Sequence, residues 1–468
     1  MTAPLAPNQV AARLDRLPVG RFHRRFLAAV ALGTWFDYYD NFVAGSLAVI
    51  LPAAGVLPAT HDGEWLSPVG LFMASLPLGM FLGSLFLGMA SDRLGRRFGF
   101  LMMLLLYSLA TLAGGVGYYP LASAAGASAG LALLLVTRLL AGLGVGAENV
   151  IIDAYVSEVV PPQVRGRSVA VVHAVAFTAF PVAALLARLL APRGSPQNWW
   201  LLLALGGMGA LLVWSFRRRL SESPRWLATV GRGAEAATVL VGMENAVQRE
   251  TGQPLPPVPI APVESVRRTP FREIWSPRYR GRTILLVAFQ LLQTVGYYGF
   301  MHWMATLLEA KGMEHDRALT MQFAASLMAP AGPLLGVWSC EHWQRKRLIV
   351  TLTLGLTAVL LAFGLAGDPI VLTLLAAAAV VGCNWFSAVF HAYHAELFPT
   401  EARATGVGFT YAWSRASMVA VSLFMPALIQ TSALAALGLT AGAFTAVAVI
   451  IGLFGPLTNG RRLEEVAG

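Results

Sequence analysis

Twelve runs of apolar residues follow one another along the chain, near 27–50, 66–89, 98–118, 129–158, 167–190, 200–216, 283–306, 318–340, 348–366, 370–396, 405–428 and 433–456. Each approaches the roughly 20 helical residues that cross about 30 Å of hydrocarbon, so the pattern predicts an all-α membrane protein with twelve transmembrane helices. Six runs lie on each side of a polar, basic stretch of 66 residues, Arg217 to Arg282. That stretch holds the proline-rich segment Pro254–Pro262 and one amphipathic pattern, which predicts a short helix around Ala234–Gln248. The expected units are an N-terminal six-helix bundle (1–216), a cytoplasmic central loop (217–282) and a C-terminal six-helix bundle (283–468).

Composition sharpens this picture. Hydrophobic residues make up 56% of the 468 positions and charged residues 12%, against about 25% charged in a soluble domain. The net charge of +10 is a matter of placement. Of 34 Lys and Arg, 28 fall in alternate loops on one side, 4 on the other, and two, Arg138 and Arg415, inside spans. Basic loops stay in the cytoplasm, so both termini are expected there. The basic charge then faces anionic lipid and gives no reason to expect a nucleic-acid partner. The first run carries two aspartates and no cleavage pattern, unlike a signal peptide.

The two cysteines, Cys340 and Cys383, exclude a disulfide scaffold and a four-cysteine zinc site. Neither lysine, Lys311 or Lys346, stands in a phosphate-binding loop, and no zinc-protease or serine-hydrolase motif is present. No enzymatic activity, cofactor or metal is expected. A monomer is expected.

The halves repeat a signature. Glu158-x-x-Pro161-x-x-x-Arg165 follows the fourth run, and Glu396-x-x-Pro399-x-x-x-Arg403 follows the tenth. Gly88-Met-Ala-Ser-Asp92-Arg93-Leu-Gly95-Arg96-Arg97 follows the second run, and Glu341 with Arg345-Lys346 keeps part of it after the eighth. Recurrence at matching span ends indicates a duplicated six-helix unit. The complete motif at 88–97 resembles that of the major facilitator superfamily. Arg138-x-x-x-Gly142-x-Gly144-x-Gly146, Tyr155-x-x-Glu158 and Glu222-Ser-Pro-Arg-Trp226 resemble the sugar porters and related metabolite:proton symporters. The resemblance implies two pseudo-symmetric bundles rocking about a central cavity. It also implies a cytoplasmic charge network of Asp92, Arg93, Arg97, Glu158, Arg165, Glu396 and Arg403. The stretch Gln290-Leu-Leu-Gln293 lacks the paired glutamines of sugar porters, and span 1 with Glu148 looks more like bacterial carriers of organic acids and other small metabolites, a resemblance that implies a bacterial inner membrane.

Charge inside a span costs about 2.5–3.5 kcal/mol at a helix centre, so Asp37, Asp40, Arg138, Glu148, Asp153 and Arg415 are functional candidates. At about 1.5 Å per residue, Asp40 lies near the level of Arg138 and Asp37 near Glu148. Two pairs are expected, Asp40 with Arg138 and Asp37 with Glu148, either able to carry a proton; Asp153 is a further candidate. Arg415 has no acid at its level in its own half, which suits an anionic ligand. Gln290, Gln293 and Tyr297 share a helix face and, with Asn384 and Trp385, are the other candidate ligand contacts. The expected function is proton-coupled import of a small organic metabolite by alternating access, a monocarboxylate being favoured, aromatic ones included. A sugar:proton symporter, a drug:proton antiporter and a non-transporting receptor are the alternatives. The expected partners are the substrate, protons and the bilayer.

Overall fold

In a computed structural model, residues 5–58, 66–87, 95–218, 220–258, 271–398 and 400–458 are described, with some side chains inside 149–170, 341, 395 and 400–405 excepted. Every α-helix used below is numbered in chain order. α1 (Pro7–Asp15) is followed by α2 (Arg21–Ala53), α3 (Pro68–Leu82), α4 (Arg96–Ala125), α5 (Ala127–Val159), α6 (Pro162–Phe177), α7 (Ala179–Leu190) and α8 (Trp200–Arg217). Then come α9 (Pro224–Thr229) and α10 (Gly233–Thr251). The second half holds α11 (Arg280–Met301), α12 (Met304–Ala310), α13 (His315–Ser326), α14 (Ala331–His342), α15 (Arg345–Leu365), α16 (Pro369–Glu396), α17 (Thr400–Thr431) and α18 (Ala433–Phe454).

Among the described residues, 11 helical segments are long and apolar enough to cross a membrane. α2 falls outside that set despite its 33 residues, because the polar run Asp37–Asn41 dilutes its middle. With α2 the segments number twelve. The fifth is two helices, α6 and α7, parted at Thr178. Pro181 explains the break, since it has no N–H for the carbonyl of Phe177. The eighth is likewise α13 and α14, with Pro330 at the junction.

Packing is densest within 21–217 and within 280–454, and the halves meet chiefly through α3 against α17 and α7 against α13. The glycines of the fourth span explain the tightest crossing. A Cβ on Gly142 would lie 2.1 Å from the Leu76 carbonyl oxygen, and one on Gly79 2.1 Å from that of Leu139. Helices α3 and α5 thus touch backbone to backbone, as small residues permit in lipid.

α1 packs on α9 and α10 through Val10, Leu14, Leu17, Trp226, Leu240 and Met243. Arg13 and Arg16 reach Glu244 on α10. Glu250 accepts from the backbone N–H groups of Arg21 and Phe22 at the start of α2. Those donors hold its carboxyl below the usual carboxylate range. α10 matches the helix expected around Ala234–Gln248, while α1 and α9 are short helices that the hydrophobic pattern does not predict. These three helices mark one face of the molecule, here the terminal face. Hydrogen bonds between the halves gather at the opposite face. Ser46 Oγ donates to Gln322 Oε1 at 3.0 Å, Arg188 Nε to Thr320 Oγ1 at 2.8 Å and Arg193 N to Asp316 Oδ1 at 2.8 Å.

Candidate transport site

Buried charge concentrates on α2, α5 and α8. Arg138 NH1 donates to Asp40 Oδ1 at 2.6 Å, with both side chains 1% exposed. This is the expected pair, formed because the two helices run oppositely and bring those residues to one depth. In the other expected pair, Asp37 and Glu148 lie within electrostatic reach of each other but share no hydrogen bond. Glu148 Oε1 accepts from Arg217 NH1 at 2.6 Å, and both side chains are fully buried. Arg217, which its charge alone assigns to the central loop, is the last residue of α8. Its Nε and NH2 donate at 3.0 Å to the carbonyls of Ala29 and Val30, and its guanidinium stacks 3.6 Å from the Phe100 ring. Gly33 makes room, because a Cβ there would lie 1.8 Å from NH2. Asp37 is within electrostatic reach of Glu148, Arg217 and Asp40, yet its two buried oxygens accept no hydrogen bond from the described residues. The side chain of Asp153 lies outside the described residues.

The candidate ligand contacts of the second half divide in two. The amides are occupied by neighbours. Gln293 donates to Gln290 Oε1 at 2.9 Å, Gln290 faces His394 Nδ1 at 3.2 Å, and His394 Nε2 is 2.6 Å from Thr410. Tyr297 donates to Asn384 Oδ1 at 2.8 Å, Asn384 donates to the Ala329 carbonyl, and Trp385 Nε1 donates to Ser339. Arg415 stands apart. It is 7% exposed. Among the described residues, its NH1 and NH2 meet only the phenol oxygens of Tyr298 and Tyr411, at 3.5 and 3.4 Å, and its guanidinium is 5.2 Å from the Tyr411 ring centroid. No carboxylate among the described residues acts on it, but Tyr38 of α2 does. Tyr38 in turn faces His173 Nδ1 at 3.2 Å. Arginine, phenols and imidazole from both halves therefore converge on one region. The sequence singled out Arg415 there. The phenols were missed, since an aromatic in a span reads equally as packing.

On the terminal face, two ion pairs repeat across the halves. Arg96 Nε is 3.2 Å from Glu158, and Arg345 NH2 is 3.1 Å from Glu396. Arg96 and Arg345 hold the same place in the repeated motif, so the duplicated sequence builds a duplicated contact. The expected Arg97 points elsewhere. Its NH2 donates to the Arg218 carbonyl and its backbone N–H to Glu222. Asp92 and Arg93, and the side chains of Arg165 and Arg403, lie outside the described residues. Glu158→Gln and Arg96→Gln are each expected to cost about 1 kcal/mol, and the double variant no more than the larger single. Thermal unfolding of detergent-purified protein checks this; additive losses would mean that the two residues do not act as a pair.

Comparison with known proteins bears on all of this. The sequence profile described as "Sugar (and other) transporter" matches residues 26–468. The putative metabolite transport protein YyaJ of Bacillus subtilis is 30% identical over 463 residues, covering 97% of each chain. The niacin transporter NiaP of Acinetobacter baylyi is 26% identical over 469 residues, covering 97% of this chain and 99% of its own. Among solved structures, the partially occluded inward open conformation of the xylose transporter XylE from E. coli superposes with a TM-score of 0.77 at 19% identity. It covers 95% of this chain and 100% of that one, and at this identity it speaks for the fold. Twelve helical segments, charge pairs buried between them and a family match over nearly the whole length lead to one conclusion: the chain belongs to the sugar (and other) transporter family, as an integral membrane transport protein and not an enzyme.

Proposed function

We propose that the protein imports a small monocarboxylate together with a proton, and that its terminal face is cytoplasmic. The observation that carries the substrate reading is Arg415, a buried guanidinium with phenols for neighbours and no carboxylate in reach among the described residues. A planar guanidinium recognises a carboxylate through two parallel hydrogen bonds. Tyr298 and Tyr411 of the second half and Tyr38 of the first put aromatic side chains near that guanidinium, which suits an aromatic acid. Niacin, carried by the relative from Acinetobacter, is a substrate of this chemical class. The proton reading rests on the Asp40–Arg138 pair. Protonating Asp40 frees Arg138, giving two bonded states between which a transport cycle can alternate. Closure on the face opposite the termini fits an inward-facing state. The pairs Arg96–Glu158 and Arg345–Glu396 would then belong to the cytoplasmic gate.

One proton carried with one monoanion moves no net charge, so the pH gradient drives uptake and the membrane potential does not. A neutral polyol carried with one proton gains about 2.3 kcal/mol per 100 mV. Uptake of labelled niacin and of labelled myo-inositol (the substrate of another relative, the Bacillus subtilis transporter IolT) into proteoliposomes separates the two. Arg415→Lys keeps charge but not the fork, and is expected to weaken niacin uptake about tenfold or more, with Arg415→Ala weaker still. Electrogenic myo-inositol uptake that ignores Arg415→Ala would replace this reading with polyol symport.

A further inference from the structure

We propose that Asp37, Glu148 and Arg217 form a second proton-carrying centre, separate from the Asp40–Arg138 pair, in which Asp37 holds one proton in this conformation. The argument begins with a count. Among the described residues, three carboxyl groups and two guanidinium groups are buried together on α2, α5 and α8, each no more than 1% exposed. Such a cluster is neutral only if it keeps one proton, and an unbalanced charge away from water is resolved by protonation.

Geometry assigns the proton. Asp40 has Arg138 and Glu148 has Arg217, each at 2.6 Å. Asp37 has neither, and both its oxygens are buried without a donor among the described residues. The groups facing it are spent elsewhere. On α8, Arg217 gives Nε, NH1 and NH2 to Ala29, Glu148 and Val30. On α4, Tyr107 donates to the Phe36 carbonyl at 2.9 Å. On α2 itself, Tyr39 donates to the Leu202 carbonyl and Tyr38 lies against His173 of α6. On α5, Arg138 acts on Asp40, not on Asp37. Asp37 therefore faces two acids, Glu148 and Asp40, each with a bound cation, and has no cation of its own.

Arg217 is the positioning residue of this centre. Gly33 lets its guanidinium lie against the α2 backbone, where it holds Glu148 ionised and leaves the proton to Asp37. When Asp37 gives that proton up, two carboxylates compete for one guanidinium that α2 also holds, so the end of α8 and the first span feel the change. This builds on the proton-coupled reading for its use in transport, but the proton itself needs no substrate.

Infrared spectroscopy of the full chain tests it, in ester-free detergent near neutral pH without substrate. Wild type is expected to show the C=O stretch of a protonated carboxylic acid, shifted in D2O. Asp37→Asn removes that band. Glu148→Gln also removes it, because Arg217 is then free to hold Asp37 ionised. Arg217→Gln leaves the centre two carboxyls without their cation, and the band grows about twofold. Gly33→Ala, which displaces the guanidinium with a smaller change, should grow it in the same direction. Absence of the band in wild type, its survival in Asp37→Asn, or indifference to both Arg217→Gln and Gly33→Ala in monodisperse protein overturns the proposal. Failure of niacin uptake leaves this result standing, and failure here leaves the substrate reading standing.

Discussion

Asp40→Asn is expected to abolish concentrative uptake while leaving exchange of substrate across the membrane. Asparagine matches aspartate in size, keeps one oxygen to accept from Arg138, and cannot lose a proton. The substitution fixes the protonated, weakly paired state of a contact now held at 2.6 Å with both partners 1% exposed. A carrier moving one proton per substrate converts each unit of pH gradient into about a tenfold accumulation, since one unit is worth 1.36 kcal/mol. The variant should bring that ratio to about one, with counterflow of labelled against unlabelled substrate still measurable. Accumulation at the wild-type ratio under an imposed pH gradient would remove Asp40 from the coupling step and leave Asp37 as the main candidate.

Gly142→Leu should be the most destructive of the substitutions considered. Its Cβ alone would enter to 2.1 Å of the Leu76 carbonyl oxygen and 3.0 Å of the Gly79 Cα, and neither is the end of a flexible side chain. Only separation of α3 from α5 relieves the clash. That separation also disturbs Arg138, one helical turn before Gly142 and bonded to Asp40. Overpacking of a well-filled site costs about 1–3 kcal/mol, more where backbone must move. Little folded protein is expected. Gly355→Ala on α15 is the control, because a Cβ there meets nothing within 4 Å. It should be neutral, or stabilising by up to about 1 kcal/mol through the lost flexibility of the unfolded chain. Fluorescence-detected size exclusion and thermal unfolding compare the two. A monodisperse Gly142→Leu protein with the wild-type melting temperature would show that this crossing is looser than its geometry implies.

These two outcomes concern different links of one chain of causes. The glycines let α3 and α5 approach, and α5 carries both Arg138 and Glu148. The same helix that packs most tightly thus delivers one charged residue to each buried centre. A change of backbone position on α5 alters both contacts together. Under the proposed function, loosening it should therefore reduce coupling before it reduces binding at Arg415, which belongs to the other half.

The sequence by itself determined a great deal. Length and apolarity of the runs are enough to specify membrane helices, because lipid leaves the backbone no other partner than itself. The glycine spacing of the fourth run, the duplicated motifs and the level of Asp40 against Arg138 are properties of a regular helix, where position along the chain converts directly into height. Absence of an acid near Arg415 in its own half is legible for the same reason.

What the tertiary structure decided is azimuth and partner choice. Arg96 and Arg97 are adjacent in sequence but about 100° apart around a helix, so one pairs with Glu158 while the guanidinium of the other turns to the Arg218 carbonyl. Gln290, Gln293 and Tyr297 share a face, as their spacing says. Only the packing of α16 settles that this face meets His394 and Asn384, and that of α17 that His394 meets Thr410 in turn. Arg217 is the clearest case. At the end of an apolar run, an arginine reads as the first charge of a loop. Its long side chain, the gap left by Gly33 and the ring of Phe100 bring it inward to Glu148 instead. Height is a one-dimensional quantity that the chain encodes locally. Which buried acid receives which cation depends on how three helices face one another, and that is set only when the bundle is packed.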